Sequence, residues 1–175
     1  MAPTFSEKLS QAKIWSATPT PLTNDLRIDI PSIHRMVEHH LRIGCNGLFL
    51  AGTCGEGPWI SRKALTSLIA EAVNASAGRL LVSVQVSDNS SVRILENIEV
   101  AAKNGADIAI IAPPLFLMNA TQRRLVQHYA EVSRYSPLPL GVYDRGENTP
   151  VYIPTELLRE IYGLEQVVRK CPINC

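Results

Sequence analysis

The sequence predicts an α/β protein in which parallel β-strands alternate with α-helices. Short apolar runs, each suited to one buried strand, are followed by longer stretches whose apolar residues recur at helical spacing. This strand–helix unit recurs roughly every 30 residues, which is the length of a βαβ repeat. The pattern is compatible with an open doubly wound sheet and with an eight-stranded (β/α)8 barrel.

Each predicted element has its own local signals. The apolar runs, each closed by a turn signal, place strands at residues 14–17, 48–51, 80–86, 108–112 and 138–143, with the start of a sixth at 166–168. Capping residues or proline open the predicted helices at Asp29, Ser61, Ser90 or Ser91, Asn119 or Thr121, and Pro154 with Thr155. The first strand–helix turn lacks the motif Gly-x-Gly-x-x-Gly, which makes a dinucleotide-binding fold less favoured as an interpretation. The sequence contains no Gly-x-x-x-x-Gly-Lys-Ser/Thr loop, which excludes a P-loop.

Composition limits the class of protein. With 175 residues, of which 46% are apolar and 19% charged, the chain resembles one soluble globular domain. A net charge of +1 gives no reason to expect nucleic acid or an acidic membrane surface as a partner. No stretch has the length of a membrane span, and the amino terminus lacks the apolar core of a signal peptide. The 4 cysteines lack metal-binding spacing, so we expect reduced thiols and a cytoplasmic protein.

One turn carries several reactive groups directly after a predicted strand. The apolar run 48–51 is followed by Gly52-Thr53-Cys54-Gly55-Glu56, which offers a hydroxyl, a thiol and a carboxylate. The carboxyl ends of parallel strands are where α/β folds place their chemistry. Glycine lets the backbone approach a ligand closely, and backbone N–H groups can face an anion. From the turn alone, a ligand site and a plain strand-to-helix connection are both compatible.

A series of short motifs occurs in order between Ile14 and about Val168. The motifs are Ala17-Thr18-Pro19-Thr20-Pro21 with Asp25, Gly44-Cys45-Asn46-Gly47-Leu48 leading into Gly52-Thr53-Cys54-Gly55-Glu56, Gly105-Ala106-Asp107, and Leu138-Pro139 with Val142-Tyr143. Together they resemble the dihydrodipicolinate synthase and N-acetylneuraminate lyase family. Members of that family are (β/α)8-barrel enzymes that hold a 2-oxo acid, usually pyruvate, as a Schiff base on lysine. The resemblance implies an incomplete (β/α)8 TIM barrel, with about six strands and five helices present.

The resemblance also implies roles for individual residues. Tyr143 matches the phenol that moves protons near the reacting carbon, and Thr53 matches the hydroxyl that relays protons to it. Thr53 and Cys54 take the positions that hold the substrate carboxylate, largely through backbone N–H groups. Lys170 stands about one position before that of the imine-forming lysine; the plain alternative is a solvated charge. No metal or organic cofactor is implied, because the protonated imine is itself the electron sink.

The sequence departs from the family pattern at several positions. Cys54 stands where the family usually has threonine, and a thiol is a weaker donor than a hydroxyl. After the fourth strand, Pro114-Leu115-Phe116-Leu117 lacks the phenol that a neighbouring subunit would add. Arg145 is a poor match for the arginine that some members use to bind a second carboxylate. These changes weaken the expected proton relay and leave the choice of second substrate open.

The largest departure concerns the sixth strand. The family pattern there is similar to Val-Val-Gly-Ile-Lys, whereas this chain reads Val167-Val168-Arg169-Lys170-Cys171. The remaining strands of a complete barrel do not follow, so the sheet would have unpaired edges. We therefore expect residues 1–175 to form one partial barrel domain. Residues 169–175 are expected to be an aberrant or truncated tail, from a premature stop or an altered reading frame.

These inferences lead to one predicted function and one alternative. We expect a lyase or aldolase acting on pyruvate or another 2-oxo acid through a lysine Schiff base, in a homo-oligomer because family members are commonly tetramers. The alternative is an inactive family member that serves as an interaction or relic protein. The histidines at 34, 39 and 40 do not converge on a metal ion. Trp59 is expected to pack over the turn.

Overall fold

The computed structural model describes residues 4–12, 14–114, 121–144, 146 and 151–168. From β1 onward, helices and strands alternate, as the sequence predicts. The elements are α1 (Phe5–Gln11), β1 (Trp15–Ala17), α2 (Ile30–Arg42), β2 (Gly47–Leu50), a 3₁₀ helix (Gly57–Trp59), α3 (Arg62–Ser76), β3 (Leu81–Gln85), α4 (Ser91–Lys103), β4 (Ile108–Ile111), α5 (Gln122–Tyr135), β5 (Leu140–Val142) and α6 (Thr155–Ile161).

The strands form a parallel sheet whose order follows the chain, from β1 to β5. Within the described residues the sheet is not closed, because β1 pairs with β2 alone. The expected start of a sixth strand is one parallel bridge between Leu140 and Val167. Around it, the Leu140 N–H donates to Gln166 and the Val168 N–H donates to Leu140, both at 2.8 Å. The architecture is that of a partial (β/α)8 barrel.

The described residues fold as two compact units. The first comprises the residues up to Gln85 together with Ala101–Ile108, and the second comprises Val86–Val100 and the residues from Ala109 onward. In the first unit, β2 is buried along its whole length and α2 packs against α3. The buried helix side chains there include Ile33, Val37, Leu68, Ile69 and Ala72. Burying a side chain the size of isoleucine or leucine stabilises the fold by about 1.5–3 kcal/mol.

The second unit has its own apolar core, in which α5 packs against α6. Its buried side chains include Ile94, Ile98, Ile110, Leu125, Val132, Leu157 and Ile161. Tyr129 is buried with them and its hydroxyl donates to the Ile111 carbonyl oxygen at 3.4 Å. Burial raises the pKa of the Tyr129 phenol far above its usual range, so this phenol remains neutral.

Four of the predicted helix starts are confirmed by their caps. The side chains of Asp29, Ser61, Ser90 and Thr121 each accept from a backbone N–H in the first turn of α2, α3, α4 and α5 respectively. The sequence analysis missed α1, which begins with a reciprocal capping box between Thr4 and Glu7. This helix buries none of its residues, so it lacks the apolar periodicity that identified the others.

Candidate active site

The turn after β2 is closed by hydrogen bonds between its own backbone groups. The N–H groups of Gly55 and Gly57 donate to the Gly52 carbonyl oxygen at 3.1 and 3.2 Å. The Glu56 N–H donates to the Thr53 carbonyl oxygen at 3.2 Å. These bonds keep Thr53 and Cys54 at the exposed tip of the turn, beyond the buried end of β2.

The turn holds two residues in an unfavourable backbone conformation. Ala51 and Glu56 have φ angles of 55° and 52°, in the left-handed region that side chains other than glycine rarely adopt. Each such residue costs about 1–2 kcal/mol. Strain of this kind persists where the surrounding structure imposes it, and it is concentrated at functional sites. Leu26 and Ala77 also have positive φ angles, of 59° and 47°, so the strain is compatible both with a ligand site and with a plain connection.

The exposed tip presents a backbone donor to solvent. Cys54 is exposed, and its N–H donates to no other group in the described part of the chain. Thr53 is exposed as well, and its carbonyl oxygen is used within the turn. A backbone N–H at the concave tip of a glycine-rich turn is suited to binding an anion such as a carboxylate. The thiol of Cys54 adds little to that binding, since it is a weak donor.

The segment after β1 lies against this turn. The Thr20 hydroxyl donates to the Gly55 carbonyl oxygen at 2.5 Å. A β-carbon on Gly55 would stand 2.9 Å from the Thr18 carbonyl oxygen, so this position has no room for a side chain. Thr20 and Gly55 both belong to motifs of the sequence, but nothing in the sequence predicts the contact between them. Residues 35 positions apart carry no local signal of contact.

Tyr143 follows β5 directly in the second unit. Its side chain is 6% exposed, and its N–H donates to the Ile111 carbonyl oxygen at 2.8 Å. The strand is shorter than predicted, at Leu140–Val142, so Tyr143 occupies its carboxyl end. Thr53 and Cys54 thus share one turn of the first unit, and Tyr143 has the strand-end position expected of it in the second.

Other predicted features lie outside the described residues. They are Lys170 with the predicted tail 169–175, the segment Leu115–Leu117, and Arg145.

The prediction for Trp59 is wrong. Its side chain is 76% exposed, so it does not pack over the turn. Two histidines on α2 have other contacts. Nε2 of His34 lies 3.1 Å from Oε2 of Glu71, and Nδ1 of His40 lies 2.7 Å from the Met36 carbonyl oxygen. Over the described ranges, no three His, Cys, Asp or Glu side chains converge as metal ligands. None of the helices in those ranges combines the length and apolar character of a membrane span.

A buried polar group next to the turn has no signal in the sequence. Gln85 ends β3, the strand that pairs with β2, and the register Leu50 to Val84 places it level with Ala51. Its Oε1 atom is buried without a hydrogen-bond partner among the described residues. An unsatisfied buried acceptor costs about 1–3 kcal/mol. Its neighbours in the sequence are ordinary strand residues, so no local pattern identified it.

Parallel strands that pair in chain order from β1 to β5 and alternate with helices define a protein of the (β/α)-barrel class. A sequence profile of the dihydrodipicolinate synthetase family matches residues 10–169. The chain therefore belongs to this family, and its predicted membership is confirmed.

Relatives and solved structures agree with this assignment. The 4-hydroxy-tetrahydrodipicolinate synthase of Limosilactobacillus fermentum is 31% identical over 85% of this chain and 48% of its own length. The synthase of Thermotoga petrophila is 30% identical over 89% of this chain and 52% of its own. The solved dihydrodipicolinate synthase of Bacteroides thetaiotaomicron superposes with a TM-score of 0.82 at 30% identity, covering 90% of this chain and 52% of that structure. The chain thus spans about half the length of the relatives it matches.

Proposed function

We propose that the protein binds pyruvate or a related 2-oxo acid and acts on it as a lyase or aldolase through a lysine Schiff base. The observation that carries the proposal is the turn after β2, which contains the left-handed residues Ala51 and Glu56 and exposes the backbone N–H of Cys54. Membership in the dihydrodipicolinate synthetase family supports an aldolase or synthase activity.

The proposed roles of Thr53, Cys54 and Tyr143 are those that the family resemblance implies. The backbone of Thr53 and Cys54 binds the carboxylate of the 2-oxo acid, and the Tyr143 phenol moves protons at the reacting carbon. Thr53 relays those protons through its hydroxyl. A lysine amine, for which Lys170 is the candidate, adds to the ketone carbon as its proton moves to the oxygen. The Tyr143 phenol donates a second proton to that oxygen, which leaves as water, and a protonated imine remains.

The imine is the electron sink of the proposed reaction. Loss of a proton from the neighbouring carbon gives an enamine, which attacks an aldehyde and forms the carbon–carbon bond. Water then adds to the imine and releases the product from the lysine. The proposal therefore needs no metal ion or organic cofactor. We propose a homo-oligomer as the active form, as the family resemblance implies.

The experiment is reductive trapping of the imine. The protein is incubated with pyruvate and borohydride, digested, and mapped by mass spectrometry. The proposal predicts one reduced pyruvyl adduct on a lysine, with Lys170 as the expected position. A Lys170→Arg variant keeps the charge without the nucleophile, so it should lose the adduct. Lactate, which has no ketone, is the matched control ligand and should give none.

The alternative is an inactive family member, and one observation favours keeping it as a candidate. Cys54 carries a thiol at a position where the family resemblance implies a hydroxyl, which is the stronger donor. A folded protein that gives no adduct with pyruvate would support this alternative over the proposed lyase.

A further inference from the structure

We propose that Thr20 is the positioning residue of the carboxylate-binding turn Gly52–Gly57. The ligand-binding part of this inference rests on the proposed function. Thr20 lies in the segment between β1 and α2, and its hydroxyl donates to the Gly55 carbonyl oxygen at 2.5 Å. This contact joins the loops that follow two neighbouring parallel strands, β1 and β2.

The contact fixes a single peptide group from both sides. The carbonyl oxygen of the Gly55–Glu56 peptide accepts from Thr20, and the N–H of the same peptide donates to the Thr53 carbonyl oxygen at 3.2 Å. A peptide group is planar and rigid, so an oriented carbonyl also orients the N–H on its other side. Hydrogen bonds that share a peptide polarise it and strengthen one another. Thr20 is therefore connected to Thr53 through one rigid unit.

The turn requires a restraint such as the Thr20 hydrogen bond, because its own backbone conformation is strained. Glu56, at one end of the fixed peptide, has a φ angle of 52°, and an unrestrained glutamate would leave this region. Rotation of the Gly55–Glu56 peptide would relieve the strain and break the bond to Thr53. The Thr20 hydroxyl opposes that rotation. The Thr18 carbonyl oxygen, which packs on Gly55, limits movement of the turn toward β1.

A pair of variants separates the hydroxyl from the shape of the side chain. Thr20→Val keeps the branched shape and removes the donor, whereas Thr20→Ser keeps the donor. Thr20 is half-buried, so both substitutions are compatible with the fold. The first measurement is amide hydrogen exchange at Glu56, and the second is the Kd for pyruvate by titration calorimetry. Amides of β2 and β3 serve as the internal reference.

The proposal predicts that Thr20→Val raises the amide exchange rate at Glu56 and the Kd for pyruvate, each by about fivefold. A change of this size corresponds to the loss of one hydrogen bond. Thr20→Ser should match the wild type in both, and the strand amides should not change. If Thr20→Val failed to fold, Thr20→Ala would replace it as the variant without a donor.

Two results would overturn the role of Thr20. One is an unchanged Glu56 exchange rate in Thr20→Val, and the other is an equal defect in the valine and serine variants. A wild-type protein that does not bind pyruvate would contradict the proposed function instead. The exchange measurement would still decide whether Thr20 holds the turn.

Discussion

Gly57 has no room for a side chain, and its replacement gives the sharpest test of how the turn is built. A β-carbon at this position would overlap the carbonyl oxygen of Ala51 and stand 2.7 Å from the carbonyl carbon. These are backbone atoms, so no change of rotamer can relieve the overlap. In Gly57→Ala the turn must move away from Ala51, and the bond from the Gly57 N–H to Gly52 must lengthen or break.

The expected cost follows from the contact. Overpacking costs about 1–3 kcal/mol, and an overlap with rigid backbone belongs at the upper end, about 3 kcal/mol. Gly44→Ala is the matched control. Gly44 has a φ angle of +82° and no atom within 4 Å of an added β-carbon, so only backbone strain applies. That strain costs about 1 kcal/mol.

Urea unfolding followed by far-UV circular dichroism measures both costs, and a pyruvate titration measures the effect on the site. We expect Gly57→Ala to lose about 3 kcal/mol of stability, together with measurable pyruvate binding. Gly44→Ala should lose about 1 kcal/mol and bind pyruvate as the wild type does. If both variants lost the same stability and both bound pyruvate normally, Gly57 would not be packed on Ala51 and the description of the turn would be wrong.

Three further predictions test other parts of the structure. Tyr143→Phe in an active form should lower kcat far more than it raises KM if the phenol moves protons in the transition state, as proposed; equal losses would indicate a structural role. Tyr129→Phe should cost below about 1 kcal/mol in urea unfolding, because the Ile111 carbonyl oxygen keeps its bond from the Tyr143 N–H; a much larger loss would contradict this. Burial raises the pKa of Asp107, although the hydrogen bond from the Val82 N–H opposes this shift. The folded state therefore binds the Asp107 proton more tightly than the unfolded state does, so the stability of the wild type decreases as pH rises through the folded pKa. Asp107→Asn keeps an acceptor for Val82, so its stability relative to the wild type should increase as pH rises through the raised pKa of folded Asp107; a difference that does not change with pH would refute the shift.

Much of the fold could be predicted because its signals are local. Asp29, Ser61 and Thr121 are short polar residues placed directly before helical periodicity, and all three cap helices. The strands β2 and β4 are continuous apolar runs buried along their whole length. The helix α1 was missed for the converse reason. Its only strong signal is the Thr4–Glu7 capping box, since it buries no apolar side chain.

The candidate site was only partly predictable. The glycines of the turn identified it as a place where a ligand could approach, and family motifs assigned Thr53, Cys54 and Tyr143. The left-handed Ala51 could not be predicted, because alanine carries no preference for that region and the surrounding packing imposes it. The exposed side chain of Trp59 contradicts the prediction that it packs over the turn. Aromatic bulk predicts burial on average and does not identify the surface it covers.

The most direct measurement is a crystal structure of the protein after pyruvate and borohydride treatment. The proposal predicts a pyruvyl group on a lysine, with its carboxylate at hydrogen-bond distance from the Thr53 and Cys54 backbone and its reduced carbon beside the Tyr143 hydroxyl. A carboxylate bound elsewhere, or Thr53 and Tyr143 too far apart to contact the same three-carbon ligand, would contradict it.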